Sequence, residues 1–157
     1  SGASPTTYRI AYNTIPFLSF MPESVAHHFK NSFLDISFSI RHEMKLNAKA
    51  FVDVKTGRQK YETRLFDEKR RKISVGDTII FSKLPELNEK ILVKVTRIIK
   101  AKNFEELFLL FPTKDANWPS NYSNYDCAKD MLKYYSHEDQ ERYGVVAFEI
   151  ELIEKND

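Results

Sequence analysis

GRQKYETRLFDEKRRKISVGDTIIF, residues 57–81, holds a helix stop, a charged strand, a basic turn and a second strand. Gly57 closes a preceding helix, because glycine enters the left-handed conformation without a Cβ clash. Residues 61–66 carry Tyr61, Thr63, Leu65 and Phe66, which suit a pleated strand, while Glu62 and Arg64 alternate through them. Strand side chains repeat every second residue, so Lys60, Glu62 and Arg64 are expected on one face. Three ionisable groups on one strand face build a polar cleft better than a core. Residues 67–72 (DEKRRK) read as a basic turn, and Gly76-Asp77 ahead of Thr78-Ile79-Ile80-Phe81 reads as a turn leading into a strand.

The flanks supply the rest of a domain. Asn47 is an N-cap for a helix over 48–56, with Phe51 and Val54 inward, and Met44-Lys45-Leu46 ends a strand before it. Residues 91–99 form a long strand in which Ile91, Val93 and Val95 alternate with polar or flanking positions. Asn103-Phe104-Glu105-Glu106 has the form of a capping box, which predicts a helix over 104–111. A loop over 112–125 precedes helices over 126–135 and 137–143. Ser136 caps the second of these and Gly144 ends it. In the last strand Val146, Phe148, Ile150 and Leu152 are expected to face the core. Toward the N-terminus, Val25, Phe29 and Phe33 mark one stripe of a helix over 24–33, followed by a half-buried strand over 34–40. Residues 1–40 are expected to be an extension, helix plus strand, packed on a domain of residues 41–157. Strands at both ends with helices between them indicate the α+β class.

The central segment resembles the signature of ASCH domains (activating-signal-cointegrator homology), relatives of the PUA-like RNA-binding fold. That signature is Gly-x-Lys-x-x-Glu-x-Arg, a short basic segment, then Gly-Asp and a strand. Gly57, Glu62 and Arg64 match it. Gln59 stands at the lysine position, and Lys60 comes one residue late. The likeness continues through the strand over 91–99, the helix begun by Asn103, Tyr134-Tyr135-Ser136 and Tyr143-Gly144-Val145-Val146, and spans residues 41–153. It implies a PUA-like mixed β-barrel with helices flanking a cleft. The implied function is binding of RNA or a modified nucleoside. Lys45, Gln59, Glu62, Arg64, Lys69, Arg70, Tyr135 and Tyr143 would be the binding residues. It also permits a nucleoside amidohydrolase of the acetylated-cytidine type or a ribonuclease, with Glu62 and Lys60 as catalytic candidates, or a regulatory protein–protein module. Glutamine offers neither a nucleophile nor a proton-transferring base at neutral pH, which weighs against the amidohydrolase at Gln59.

Composition sets the remaining bounds. The 157 residues are 42% apolar and 29% charged, as in an ordinary globular protein. Basic residues (24) barely exceed acidic ones (22), yet residues 55–72 hold eight basic and three acidic side chains, a local excess suited to an anionic partner. Trp118, Tyr122, Tyr125, Tyr134, Tyr135 and Tyr143 gather near one region, where one or two rings are expected to stack on a base. Cys127 is the single cysteine, so no intrachain disulfide can form and a reducing, cytoplasmic setting is expected. No apolar run is long enough to span a bilayer. His27, His28, His42 and His137 lack metal-ligand spacing, so no metal and no cofactor is expected.

Overall fold

The structure is a computed structural model that describes residues 7–11, 33–37 and 39–153. The chain divides into two units, Pro5–Ser39 and one that includes Ile40–Asp157. In the first, β1 (Thr7–Ala11) pairs antiparallel with β2 (Phe33–Ser37), Thr7 opposite Ser37. The strand expected over 34–40 is therefore present and ends earlier, at Ser37. The helix expected over 24–33 lies outside the described residues, except that Phe33 begins β2.

The second unit runs β3 (Arg41–Leu46), α1 (Ala48–Lys55), β4 (Tyr61–Leu65), α2 (Glu68–Arg71), β5 (Thr78–Lys83) and β6 (Lys90–Ala101). It continues through α3 (Phe104–Leu107), a 3₁₀ turn at Thr113–Ala116, α4 (Asn124–Met131), α5 (His137–Tyr143) and β7 (Val145–Leu152). One sheet takes the order β3-β5-β6-β7-β4, parallel only between β3 and β5. It curls into a half-barrel flanked by helices, the α+β class expected from the sequence. The two edge strands are β3 and β4, and the cleft described below opens between them.

Register decides what each face carries. Glu62 pairs with Phe148 and Phe148 with Ile98, while Arg64 pairs with Val146 and Val146 with Lys100. Paired residues share a face, so Glu62 and Arg64 stand on the inner face, whose core is Ile79, Phe81, Val93, Val95, Ile98, Val146 and Phe148 with α1's Phe51 and Val54. The outer face carries Tyr61, Ile99, Val145 and Ala147 under Phe104, Phe108, Cys127 and Met131 of the helical layer. A bulge between Val95 and Arg97 in β6 lets odd-numbered Val93 and Val95 and even-numbered Ile98 all point inward.

Local chemistry explains most element ends. The Asn47 side chain accepts from the Ala50 N–H, Ser123 and Asp126 form a reciprocal capping box, and the Ser136 side chain accepts from the Asp139 N–H. Gly57 and Gly144 end α1 and α5 at φ +76° and +71°. Three expectations need correction. The helix expected over 104–111 stops at Leu107, where the Leu109 and Leu110 N–H groups bond only three residues back, to the Glu106 and Leu107 carbonyls, and the chain turns out of the α-helical ladder. The basic turn at 67–72 is a helical turn, α2, capped by the Asp67 carboxylate on the Arg70 N–H. Leu152 is 43% exposed, because β7 outruns β4, whose pairing ends at Glu149.

Asp77, in the Gly-Asp turn, is 2% exposed and accepts from the Ile40 N–H, the Ser74 N–H and His42 Nε2 at 2.8–3.0 Å. Burial works to raise its carboxyl pKa, but these donors outweigh it and hold the value below the ordinary one. A depressed folded pKa gives stability that is complete above about pH 4, the unfolded value, and is lost as pH falls through the folded value. Asp77→Asn is expected to lower unfolding free energy by about 1–3 kcal/mol at neutral pH and to flatten its decline below pH 4. Urea unfolding at several pH values checks both.

Candidate functional site

Between the edge strands lies a cleft of about 640 Å³, walled on one side by β3, α1 and β4 and on the other by residues 116–135. The entry to β4 decides which side chains reach it. The Gln59 N–H donates to the Asp53 carbonyl at 2.9 Å, which turns Gln59 inward before the strand begins at Tyr61. Gln59 is buried, and its Nε2 donates to Glu62 Oε2 at 2.8 Å and to the Tyr61 carbonyl at 3.1 Å. Both partners are acceptors, so the amide orientation is fixed. Glu62 Oε1 in turn accepts from Arg64 Nε at 2.9 Å.

Arg64 carries the chain of bonds across the opening. Its Nη2 donates at 2.7 Å to the carbonyl of Lys45 on β3, so a side chain of one edge strand is fastened to the backbone of the other. Burial disfavours its charge, but the Glu62 carboxylate beside it and the Tyr135 hydroxyl outweigh that, holding the guanidinium still more firmly protonated than usual. With Nε and Nη2 committed and the Tyr135 hydroxyl a further partner, the Arg64 guanidinium is held in a locked position at the cleft. Pre-fixed donors of this kind bind a carbonyl or other acceptor with little ordering cost.

The opposite wall is aromatic. Trp118 and Tyr122 stack at 6.1 Å between centroids, Trp118 meets Phe108 edge-on at 5.8 Å, and Tyr135 stacks on Phe104 at 5.7 Å. These contacts hold Trp118, Tyr122 and Tyr135 from behind while they line the cleft, and Tyr134 at the rim is 69% exposed. Lys45, Lys49 and Arg64 in the lining are matched by Asp53, Glu62 and Asp130, three cations against three carboxylates.

The structure brings together Lys45, Gln59, Glu62, Arg64 and Tyr135. The other candidates stand elsewhere. Lys60 precedes the strand, its N–H held by the Asp115 carbonyl at 2.7 Å, and its exposed side chain is not in the lining, so it does not share the site of Glu62. Lys69 is exposed on α2, and Arg70 Nη1 is engaged by Asp67 at 2.8 Å. Tyr143 lies outside the cleft with Arg142 over its ring. Tyr125 is also outside it. Cys127 is buried, that burial pushes its thiol pKa up, and it does not line the cleft. Among the described residues no three His, Cys, Asp or Glu side chains come close enough to hold a metal ion, and no helix is long and apolar enough to cross a membrane.

Sequence reasoning passed over Asp53 and Asn117. Asp53 is buried on the α1 wall, accepts from Lys49 at 2.9 Å and from the Asn117 amide, and forms an ion pair with Arg58 at 3.2 Å. Asn117 sits at φ +63°, a left-handed position that asparagine tolerates. The available signal was Lys49 four residues before Asp53, flanked by Phe51 and Val54: a paired carboxylate within an apolar stripe.

Comparison with known proteins accords with this geometry. The ASCH domain model matches residues 44–154. The crystal structure of the hypothetical protein PH0355 is similar at 36% identity and a TM-score of 0.65, over 73% of this chain and 100% of that one. The solution structure of protein PF0455 from Pyrococcus furiosus is similar at 30% identity and a TM-score of 0.57, over 73% and 99%. An ASCH domain from Lactobacillus crispatus shares the fold at 10% identity and a TM-score of 0.50, over 87% and 89%. No curated protein matches the sequence. The match of the family model over most of the chain places it: this protein belongs to the ASCH domain family.

Proposed function

We propose that the cleft binds one unpaired nucleotide of an RNA chain, with the base seated between the Gln59–Glu62–Arg64 wall and the rings of Trp118, Tyr122 and Tyr134. The family is associated with RNA binding, which supports the ligand class. The carrying observation is the locked guanidinium of Arg64, aimed across an aromatic wall inside a 640 Å³ space. Binding sites for small organic molecules occupy roughly 300–1,000 Å³. Sequence-specific RNA recognition works on splayed-out bases, stacked on rings and hydrogen-bonded along their edges. The balanced lining charge favours a neutral, polar, flat group over a polyphosphate. Both oxygens of Glu62 are already engaged, so its role is to hold Arg64 and Gln59 in position.

A melting-temperature screen of pyrimidine and purine nucleosides, plain and base-modified, alongside inorganic tripolyphosphate tests this reading. A base-sized ligand at about 100 times its Kd should raise the melting temperature by about 5–10 °C. Tripolyphosphate should not reproduce that rise. A response to tripolyphosphate with none to any nucleoside would refute the proposal.

A further inference from the structure

Phe66, just past β4, is half-buried against the inner core and carries two cations on its ring. The Arg71 guanidinium lies 4.6 Å from the ring centroid and Lys100 Nζ lies 4.7 Å from it. Arg71 is further tied by Nη2 to the Tyr143 carbonyl at 3.1 Å, so α2 is fastened to the end of α5. Both side chains belong to exposed residues, and among the described residues neither forms an ion pair with a carboxylate. Arg70, their neighbour in sequence, differs: its Nη1 is paired with Asp67. The basic segment thus divides into one cation bound to its own helix cap and one presented over an aromatic face.

Two cations held at one ring without a carboxylate partner offer their charge to an anion beside them. Their placement relative to the cleft follows from register. Arg64, Val146 and Lys100 lie directly opposite one another on β4, β7 and β6, and so on one sheet face. Two strand spacings separate the backbones of Arg64 and Lys100 by about 10 Å. A charge-balanced cleft therefore has an unneutralised cation pair close by on the same face. A nucleotide has the matching division, a neutral base and an anionic phosphate.

We infer that Arg71 and Lys100, seated on Phe66, form a phosphate subsite that takes the backbone of the nucleotide next to the one in the cleft. This rests on the reading of the cleft as an RNA site. Phosphate contacts position a strand without reading its sequence, so the subsite sets where RNA enters while the cleft selects the base.

The test is the salt dependence of binding of a fluorescent ten-residue single-stranded RNA. It compares the natural protein, the double variant Arg71→Gln/Lys100→Gln and the charge-preserving Arg71→Lys/Lys100→Arg. Each phosphate contact on a single strand contributes a slope of about 0.7 in log affinity against log salt. The glutamine variant should lose about 0.7 of that slope, one phosphate's share, the charge-preserving one should keep it, and both should keep the melting response to free nucleosides. An unchanged slope in the glutamine variant, with Arg64→Ala still abolishing binding, would overturn the subsite and leave the cleft reading intact. Loss of the nucleoside response in the glutamine variant would also overturn it, since the two sites would not be separable. If the natural protein fails to bind the RNA at low salt, both readings fall.

Discussion

Glu62→Ala is expected to destabilise the ASCH domain by about 3 kcal/mol, at the lower end for removing one member of a buried ion pair. The Glu62 side chain is 9% exposed and that of Arg64 17%, so the arginine left behind would be largely desolvated without its counter-charge. Gln59 Nε2 would lose its 2.8 Å acceptor at the same time. A chain of this length loses about 2–4 °C of melting temperature per kcal/mol, so a fall of about 6–12 °C should accompany the change. Glu62→Gln fills the same space and keeps an acceptor for one neighbour, so its loss should be smaller. Urea unfolding of the two variants against the natural protein decides it. A loss below about 1 kcal/mol for Glu62→Ala would show that the carboxylate is not the keystone of the wall.

The second large effect is on binding. Arg64→Lys should weaken binding of single-stranded RNA by about 10- to 100-fold, the equivalent of one hydrogen bond to a charged group. Lysine keeps the charge but has one nitrogen, which cannot reach Glu62, the Lys45 carbonyl and a ligand from a fixed plane as the guanidinium does. Fluorescence anisotropy at fixed salt measures the change. Equal affinities for the two proteins would reduce Arg64 to a general positive charge.

How far the sequence discloses this site depends on the range of the interactions involved. The Gly57 stop, the Asn47 and Ser136 caps and the alternation of Glu62 with Arg64 are local, and all were readable from neighbouring residues. Lys60 stands apart from Glu62 because the two-residue repeat holds only from Tyr61 onward, and before it the Asp53 and Asp115 carbonyls set the backbone. The crossing of Arg64 to Lys45 was not readable, since residues 19 apart meet there only because the sheet ends in β3 and β4. The parity change at the β6 bulge was hidden for a related reason: it depends on pairing with β7, more than 50 residues on. Basic residues at 69–72 looked alike in sequence, and only the Asp67 cap and the Phe66 ring separate Arg70 from Arg71.

Trp118 is the chain's single tryptophan and lines the cleft, so its fluorescence reports on the cleft alone. Titrating the natural protein and Arg64→Ala with short single-stranded RNA, while following Trp118 emission, is the direct measurement. A saturable change in the natural protein that disappears in Arg64→Ala is the predicted result. RNA that binds both proteins equally without altering Trp118 emission would place the interface elsewhere and contradict the account.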